Sequence, residues 1–396
     1  LEKWKYDRTI KIGKNGISKE SVLVTILSFI LFLSLFSYPE VYSDVFDFDE
    51  PKNISSTPGP SQTPQIATLG SNVYIVWTEQ DDSGNSEIFF TRSDDDGVTF
   101  PFGINNLSNN PDFSLSQQIT AAGENVYVVW QEISGVTDIF FTRSDNNGDS
   151  FNGGTPGFPG TPINLSNTPD FSDFPQISSV GNNVYVVWTE GTFGDEAILF
   201  SASHNDGDTF VVEKENLSSS SKIGIPQFPQ IATAGDNVYV VWQDFNIVDF
   251  PPTLDVFFSK SNDEGLTFSD GLNLNELSVS SSNPQVAAAG DNVYVVWESS
   301  GDIGSEIFFS ASHNKGNGFV VEKENLRSSS STSFPQSTQI AVAGENVYVV
   351  WSEYDFESGF SDIFIRASND GGLSFGDPIN LSHNLSFSEL PQIAAV

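Results

Sequence analysis

The sequence has no cysteine, no methionine and only three histidines, His204, His313 and His383. Without cysteine there are no disulfides, no thiolate metal sites and no thiol nucleophile. Three histidines leave little material for a zinc site. Positive charge is scarce as well: 16 Lys and Arg stand against 52 Asp and Glu, a formal net charge of -36. A surface that negative repels nucleic acid phosphates and anionic lipid headgroups. No phosphate-binding loop and no Ser-His-Asp constellation is present. Hydrophobic residues make up 38%, which is low, but 34 Phe and 7 Trp can still build a core.

The scarce basic residues gather at the start. Residues 1–20 are basic, Ser21–Pro39 carries no charge, and Val22–Phe36 is strongly apolar. Val41-Tyr42-Ser43 then places small residues around a cut before Asp44. Basic, apolar, then small is the order of a secretory signal peptide. The same uncharged run is long enough to span a bilayer as a retained anchor with its basic end inside. Residues 1–43 are therefore read as signal peptide or anchor, and residues 44–396 as a body facing the outside.

That body repeats. The string Asn-Val-Tyr-(Val/Ile)-Val-Trp occurs six times, ending at Trp77, Trp130, Trp188, Trp242, Trp297 and Trp351. Each repeat of about 55 residues reads as four short strands, A to D. Strand B is apolar on both faces, with Val73, Ile75 and Trp77 on one side and Tyr74 and Val76 on the other. Such a sheet must be covered on both faces, which radial packing of propeller blades achieves. The expected fold is all-β: a propeller of four-stranded blades with six complete repeats over residues 64–390. Residues 46–57 resemble a D strand, and residues 391–396 resemble a new A strand. Together they suggest a partial seventh blade in a fragment of a longer ring.

The turn between strands C and D carries Ser-x-Asp/Asn-x-Gly-x-Thr/Ser-Phe, as in Ser93-Asp94-Asp95-Asp96-Gly97-Val98-Thr99-Phe100 and Ser261-x-Asp263-x-Gly265-x-Thr267-Phe268. Six copies in register resemble the Asp-box, or bacterial neuraminidase repeat, of sialidase-like propellers of microbial, including archaeal, cell surfaces. Local chemistry explains the motif: the Asp or Asn accepts from turn N–H groups, and Gly permits positive φ. The resemblance implies that these turns lie on the rim, away from an active face. It also implies three Arg, a Tyr–Glu pair and an acid for a sialidase. Beyond residue 43 there are only Arg92, Arg143, Arg327 and Arg366, and only Arg327 sits on a D–A loop. The sialidase Phe/Tyr-Arg-Ile-Pro signature is absent. Tyr354, beside Asp355 and Glu357, is the one mature Tyr outside the strand-B strings. No catalytic residue is assigned.

Acids recur where each B–C loop begins and ends: Glu79, Glu87, Glu132, Asp138, Asp244, Asp255, Glu306, Glu353 and Asp362. Paired carboxylates on one face suit a hard cation, so these nine are the candidate metal ligands, with Ca²⁺ as the candidate ion; a solvated acidic rim, the usual role of charge runs, is the alternative. A ring of Gln (Gln65, Gln118, Gln176, Gln230, Gln285 and Gln339) either lines the channel or satisfies backbone between blades. Asn-x-Ser sequons at Asn53, Asn106, Asn164, Asn216, Asn380 and Asn384 read as glycan sites or as turn chemistry. The expected function is extracellular binding or adhesion without catalysis, toward a surface glycan or protein and stabilised by calcium. A sialidase-like glycoside hydrolase and a structural envelope component are the alternatives.

Overall fold

The computed structural model describes residues 52–55, 59–80, 84–152, 160–219, 224–246, 252–275, 280–301, 304–327, 333–382 and 387–395. The chain divides into two units, Leu1–Asn53 and Ile54–Val396. The apolar run at 22–36 and the cut before Asp44 lie outside the described residues. Among those described, no helix is long and apolar enough to cross a membrane.

The second unit is a propeller of six four-stranded antiparallel sheets, each with strands A to D paired in chain order. In the first blade these are Ser61–Leu69, Asn72–Gln80, Ser86–Ser93 and Asn105–Asn106. The A strands pack on one another around the axis, and the D strands are the outermost. The C–D turn folds back onto its own A–B turn in every blade, as in Asp96 N to Ser71 O at 2.9 Å and Glu264 N to Asp236 O at 2.9 Å. The Asp-box-like turns therefore occupy one end of the blades, and the B–C and D–A connections occupy the other.

Blades stack through strand B. The face carrying Tyr74, Val76, Ile88 and Phe90 packs on Val126, Val128 and Trp130 of the next blade. The same Tyr/Val-on-Val/Trp core recurs at the next four junctions. All six repeat Trp are buried, Trp77 at 3% exposure and the others at 1% or less. Burial pushes the hydroxyls of Tyr185 and Tyr239 up to about 12.

The Asp-box-like turn seals each junction from the rim side. Its Phe meets the strand-C Phe of the preceding blade edge-on: Phe90–Phe151, Phe141–Phe210, Phe200–Phe268, Phe258–Phe319 and Phe309–Phe375, with centroids 4.7 to 5.3 Å apart. Its Gly lies against that same ring. A Cβ on Gly148, Gly207, Gly265, Gly316 or Gly372 would stand 2.5 to 2.8 Å from the ring's ζ carbon, and φ at these positions is +70° to +84°. Glycine is required there twice, for conformation and for approach.

The outer faces of blade six and blade one lack these features. Tyr348 and Ile363 are half-buried, where their counterparts in the other blades are sealed, and Val73 and Ile75 are half-buried too. Blade six has Ile365 where the other five have Phe, and Gly97 of blade one would meet only Val73 of its own blade. Among the described residues, five apolar junction cores hold six blades.

The segments expected to belong to a partial seventh blade are described only in part. Residues 391–395 form no strand, because no described segment supplies a strand B to hydrogen-bond with them. Residues 52–55 of the D-like segment form no strand either, and the rest of that segment lies outside the described residues. One trace of a seventh repeat is nevertheless built. Each A strand holds a β-bulge whose first residue has positive φ: Thr63, Ser116, Phe174, Phe228, Asn283 and Ser337, at 48° to 56°. Leu390, which precedes Pro391-Gln392 as Phe228 precedes Pro229-Gln230, has φ 55°.

The rim lock yields a prediction with an internal control. Gly97→Ala should cost about 1 kcal/mol, from φ strain alone. Gly265→Ala adds overpacking against Phe200 and should cost a further ~1–3 kcal/mol. Urea unfolding of the two variants checks this; equal losses would mean that the glycine does not lock the junction.

Candidate functional site

At the B–C and D–A end, most blades repeat one hydrogen-bonded arrangement. The acid two residues after the strand-B Trp accepts from that indole: Trp77 Nε1 to Glu79 at 2.9 Å, Trp130 to Glu132 at 3.3 Å, Trp188 to Glu190 at 3.0 Å and Trp351 to Glu353 at 3.0 Å. A buried indole N–H needs such an acceptor. In blade four Asp244 is one methylene shorter than Glu, and Trp242 Nε1 finds no acceptor among the described residues.

Eight of the nine acids singled out in the sequence face each other as cross-strand partners: Glu79 with Glu87, Glu132 with Asp138, Asp244 with Asp255, and Glu353 with Asp362. Glu306 stands opposite Ser299 instead. Like charges directly opposite repel unless donors offset them. Here the Asn-Leu-Ser corner supplies donors: Ser108 Oγ binds Glu87, Ser166 Oγ binds Asp138 at 2.9 Å, and Ser382 Oγ binds Asp362 at 2.6 Å. Asn110 Nδ2 binds Glu132 at 2.7 Å. Burial still pushes the Glu132 carboxyl up, against the Trp130 and Asn110 donors, and the Asp138 charge adds to the rise. Among the described residues, no three acidic or His groups gather closely enough to hold a metal ion.

Four of the six sequon asparagines belong to this corner, and Asn384 lies outside the described residues. Asn106 Oδ1 accepts from Asn109 N at 2.8 Å, Asn164 from Asn167 N at 2.8 Å, Asn216 from Ser218 N at 3.0 Å and Asn380 from Ser382 N at 3.0 Å. The turn chemistry expected of them is formed. All six Gln of the ring are half-buried on their A strands.

Blade five breaks the pattern, and a cleft opens beside it. Ser299 replaces the indole-binding acid, and Trp297 Nε1 has no acceptor among the described residues. The blade's acid, Glu298, sits one position earlier, where other blades carry Thr78, Gln131, Thr189, Gln243 and Ser352. That position reaches the next A strand: Thr78 Oγ1 to Gln117 Oε1 at 2.7 Å, Gln131 Nε2 to Asp173 Oδ1 at 2.6 Å. Glu298 Oε1 accepts from Thr338 N and Oγ1, both at 3.0 Å, and Oε2 accepts from Asn283 Nδ2 at 2.9 Å. Glu298 is therefore an inter-blade tie and not a displaced copy of the recurrent acid.

The cleft lies between blades five and six and has a volume of about 610 Å³. Blade five contributes Asn283, Glu298 and Ser305; blade six contributes Phe334–Ser337, Tyr354 and Phe356. Asn283 and Ser337 are bulge residues, and bulges re-aim side chains in this way. Phe356 stands perpendicular to both Phe334 and Tyr354, each centroid 5.1 Å away, and Tyr354 stacks on Phe387 at 6.4 Å. Phe334 is 38% exposed, and Phe356 and Phe387 are each 61% exposed. Beneath them runs Arg327, which replaces the Ser of the Asn-Leu-Ser corner. Its guanidinium binds Glu353 Oε1 at 3.0 Å, Ser333 O at 2.7 Å and Ser305 O, so one buried cation joins both walls.

The other three arginines serve elsewhere. Arg92 pairs with Asp149 and Arg143 with Asp208, across junctions at the rim end. Arg366 donates to the carbonyls of Leu326 at 2.7 Å and Gly376 at 2.6 Å. Sequence reasoning found Arg327 and Tyr354 singly but missed the cleft. The available signal was that three departures from the repeat, Glu298, Arg327 and Tyr354, fall on one junction.

No protein-family model matches the chain, and no curated protein matches it. Solved structures do resemble it. A polysaccharide lyase of family PL25, an ulvan lyase, aligns with a TM-score of 0.54 at 11% identity, over 82% of this chain and 85% of that one. An α-L-arabinanase of Penicillium chrysogenum complexed with arabinobiose aligns at 0.50 with 13% identity, over 74% and 89%. A mutant NanB sialidase from Streptococcus pneumoniae aligns at 0.49 with 11% identity, over 75% and 65%. At such identities the likeness is one of fold.

Glu132 and Asp263 should respond to pH in opposite senses. Glu132 has its folded pKa raised, so its contribution is complete below the unfolded pKa and is lost as pH rises through the folded value. Glu132→Gln should therefore gain on the wild type as pH rises above the ordinary Glu range of ~4.3. Asp263 is held low by hydrogen bonds from Ser261 and Thr267. Its contribution is present above the unfolded pKa and is lost as pH falls through the folded value. Asp263→Asn should thus be at its greatest disadvantage above the ordinary Asp pKa and draw level in stronger acid. Denaturant unfolding across pH measures both; pH-independent differences would contradict these assignments.

Proposed function

We propose that this chain is an extracellular glycan-binding propeller that acts without catalysis. The observation that carries the proposal is the cleft between blades five and six, where exposed aromatic rings adjoin amide and hydroxyl groups. Rings that cover the apolar face of a sugar, together with a few placed polar groups, are the general makeup of a small-ligand site. The names of the structural neighbours support a glycan: one acts on ulvan, and the other is complexed with arabinobiose. Absence of catalysis is favoured by the arginines. All four beyond residue 43 bind protein acceptors, which leaves no triad to clamp a substrate carboxylate.

Secretion or N-terminal anchoring belongs to the proposal through the order of basic, apolar and small residues before Asp44. Calcium at the four carboxylate pairs also stays a proposal, since two facing carboxylates are hard-cation donors. It would raise the melting temperature with concentration, beyond Na⁺ at equal ionic strength.

The reading is tested by screening the protein against immobilised glycans and assaying the same glycans for new reducing ends. Retention without cleavage is expected. Cleavage would favour the hydrolase reading, and retention of no glycan would leave the structural envelope reading.

A further inference from the structure

We infer that the cleft between blades five and six takes a neutral polysaccharide chain and excludes uronate and sialate chains. This rests on the glycan-binding reading and adds a location and a charge class to it. Two observations carry it.

The first is the shape and chemistry of the walls. Phe334, Tyr354 and Phe356 form one contiguous aromatic group at the mouth, with Phe356 projecting furthest. Buried aromatic residues are routine in this fold, but exposed ones in mutual contact beside a polar cavity are not explained by packing. The ring faces suit the hydroxyl-poor side of a sugar. Exposed Gln336 offers both a donor and an acceptor, and Ser305 and Ser337 each offer a hydroxyl. A flexible carbohydrate needs such paired groups for orientation and the rings for contact area.

The second is the charge. The acids at the site are Glu298 in the cleft, Glu353 beneath it, and Asp355 and Glu357 along the strand and loop that carry Tyr354 and Phe356. The cation at the site is Arg327, whose guanidinium is already bound by Glu353, Ser333 and Ser305. A carboxylated sugar entering here would meet like charge with no cation to offset it, in a protein whose net charge is -36. The same charge would attract a cationic sugar, but Glu298 is buried and engaged by Thr338 and Asn283, so it presents no free carboxylate for direct contact with one. A neutral chain fits both constraints.

The test uses the full-length chain in affinity electrophoresis. One set of gels carries neutral polysaccharides (β-glucan, xylan, mannan and arabinan) and the other carries polygalacturonate, alginate and polysialate. Wild type should be retarded by at least one neutral polymer and by none of the acidic ones. Phe356→Ala and Gln336→Ala should each weaken retardation about tenfold, with an unchanged melting temperature, since both side chains are exposed. Phe193→Ala, at an exposed aromatic of blade three (88% exposed), should bind as the wild type does. Neutral binding that survives both cleft substitutions would overturn the location while leaving glycan binding standing. Retardation by acidic polymers alone would overturn the charge class. Retardation by no polymer would remove the glycan-binding reading and this inference with it.

Discussion

The interaction on which this molecule depends is the packing of one blade's Tyr/Val face on the next blade's Val/Trp face. A sheet that is apolar on both sides cannot stand in water, so no blade is stable by itself. The repeat meets this constraint five times with the same residues. The rim turn adds a glycine and a phenylalanine at each junction, which explains why the Asp-box-like motif recurs so regularly: it is an inter-blade latch. Because the latch occupies one end of every blade, functional variation is confined to the other.

At that other end, residues that look functional in sequence also have structural partners. The recurring acids accept from buried indoles in four blades and from the Asn-Leu-Ser corners, and four of the sequon asparagines form those corners. Burial of so many carboxylates at one face makes the protein's stability pH-dependent in a residue-specific way, because some carboxyls are raised by burial and others are held down by turn donors. The departures matter more than the repeats. Glu298 ties two blades where other blades use a neutral side chain, and Arg327 replaces a serine to brace the walls of the one aromatic cleft described.

Much of the fold was legible from six copies of Asn-Val-Tyr-Val-Val-Trp, because a two-sided apolar strand of that length admits few architectures. The facing of Tyr74 against Trp77 and the pairing of acids such as Glu79 with Glu87 followed from strand alternation and loop length. Similarity of residues 391–396 to strand A reproduced the local backbone at Leu390, but a strand forms only where a partner can pair with it. The cleft was not legible because its two walls, Asn283–Ser305 and Phe334–Phe356, are brought together by blade packing. The signal in the repeat register was a negative one, three departures from the pattern at Glu298, Arg327 and Tyr354, and it marks the cleft only once those positions are known to share a junction.

The central claim is that the junction of blades five and six is a glycan-binding cleft. Amide hydrogen exchange measured with and without a neutral oligosaccharide tests it most directly. The account predicts slowed exchange confined to residues 333–337 and 354–357 and to the facing residues near 283 and 305, with the other blades unchanged. Protection centred on the channel-lining A strands of all blades, or on none, would contradict it.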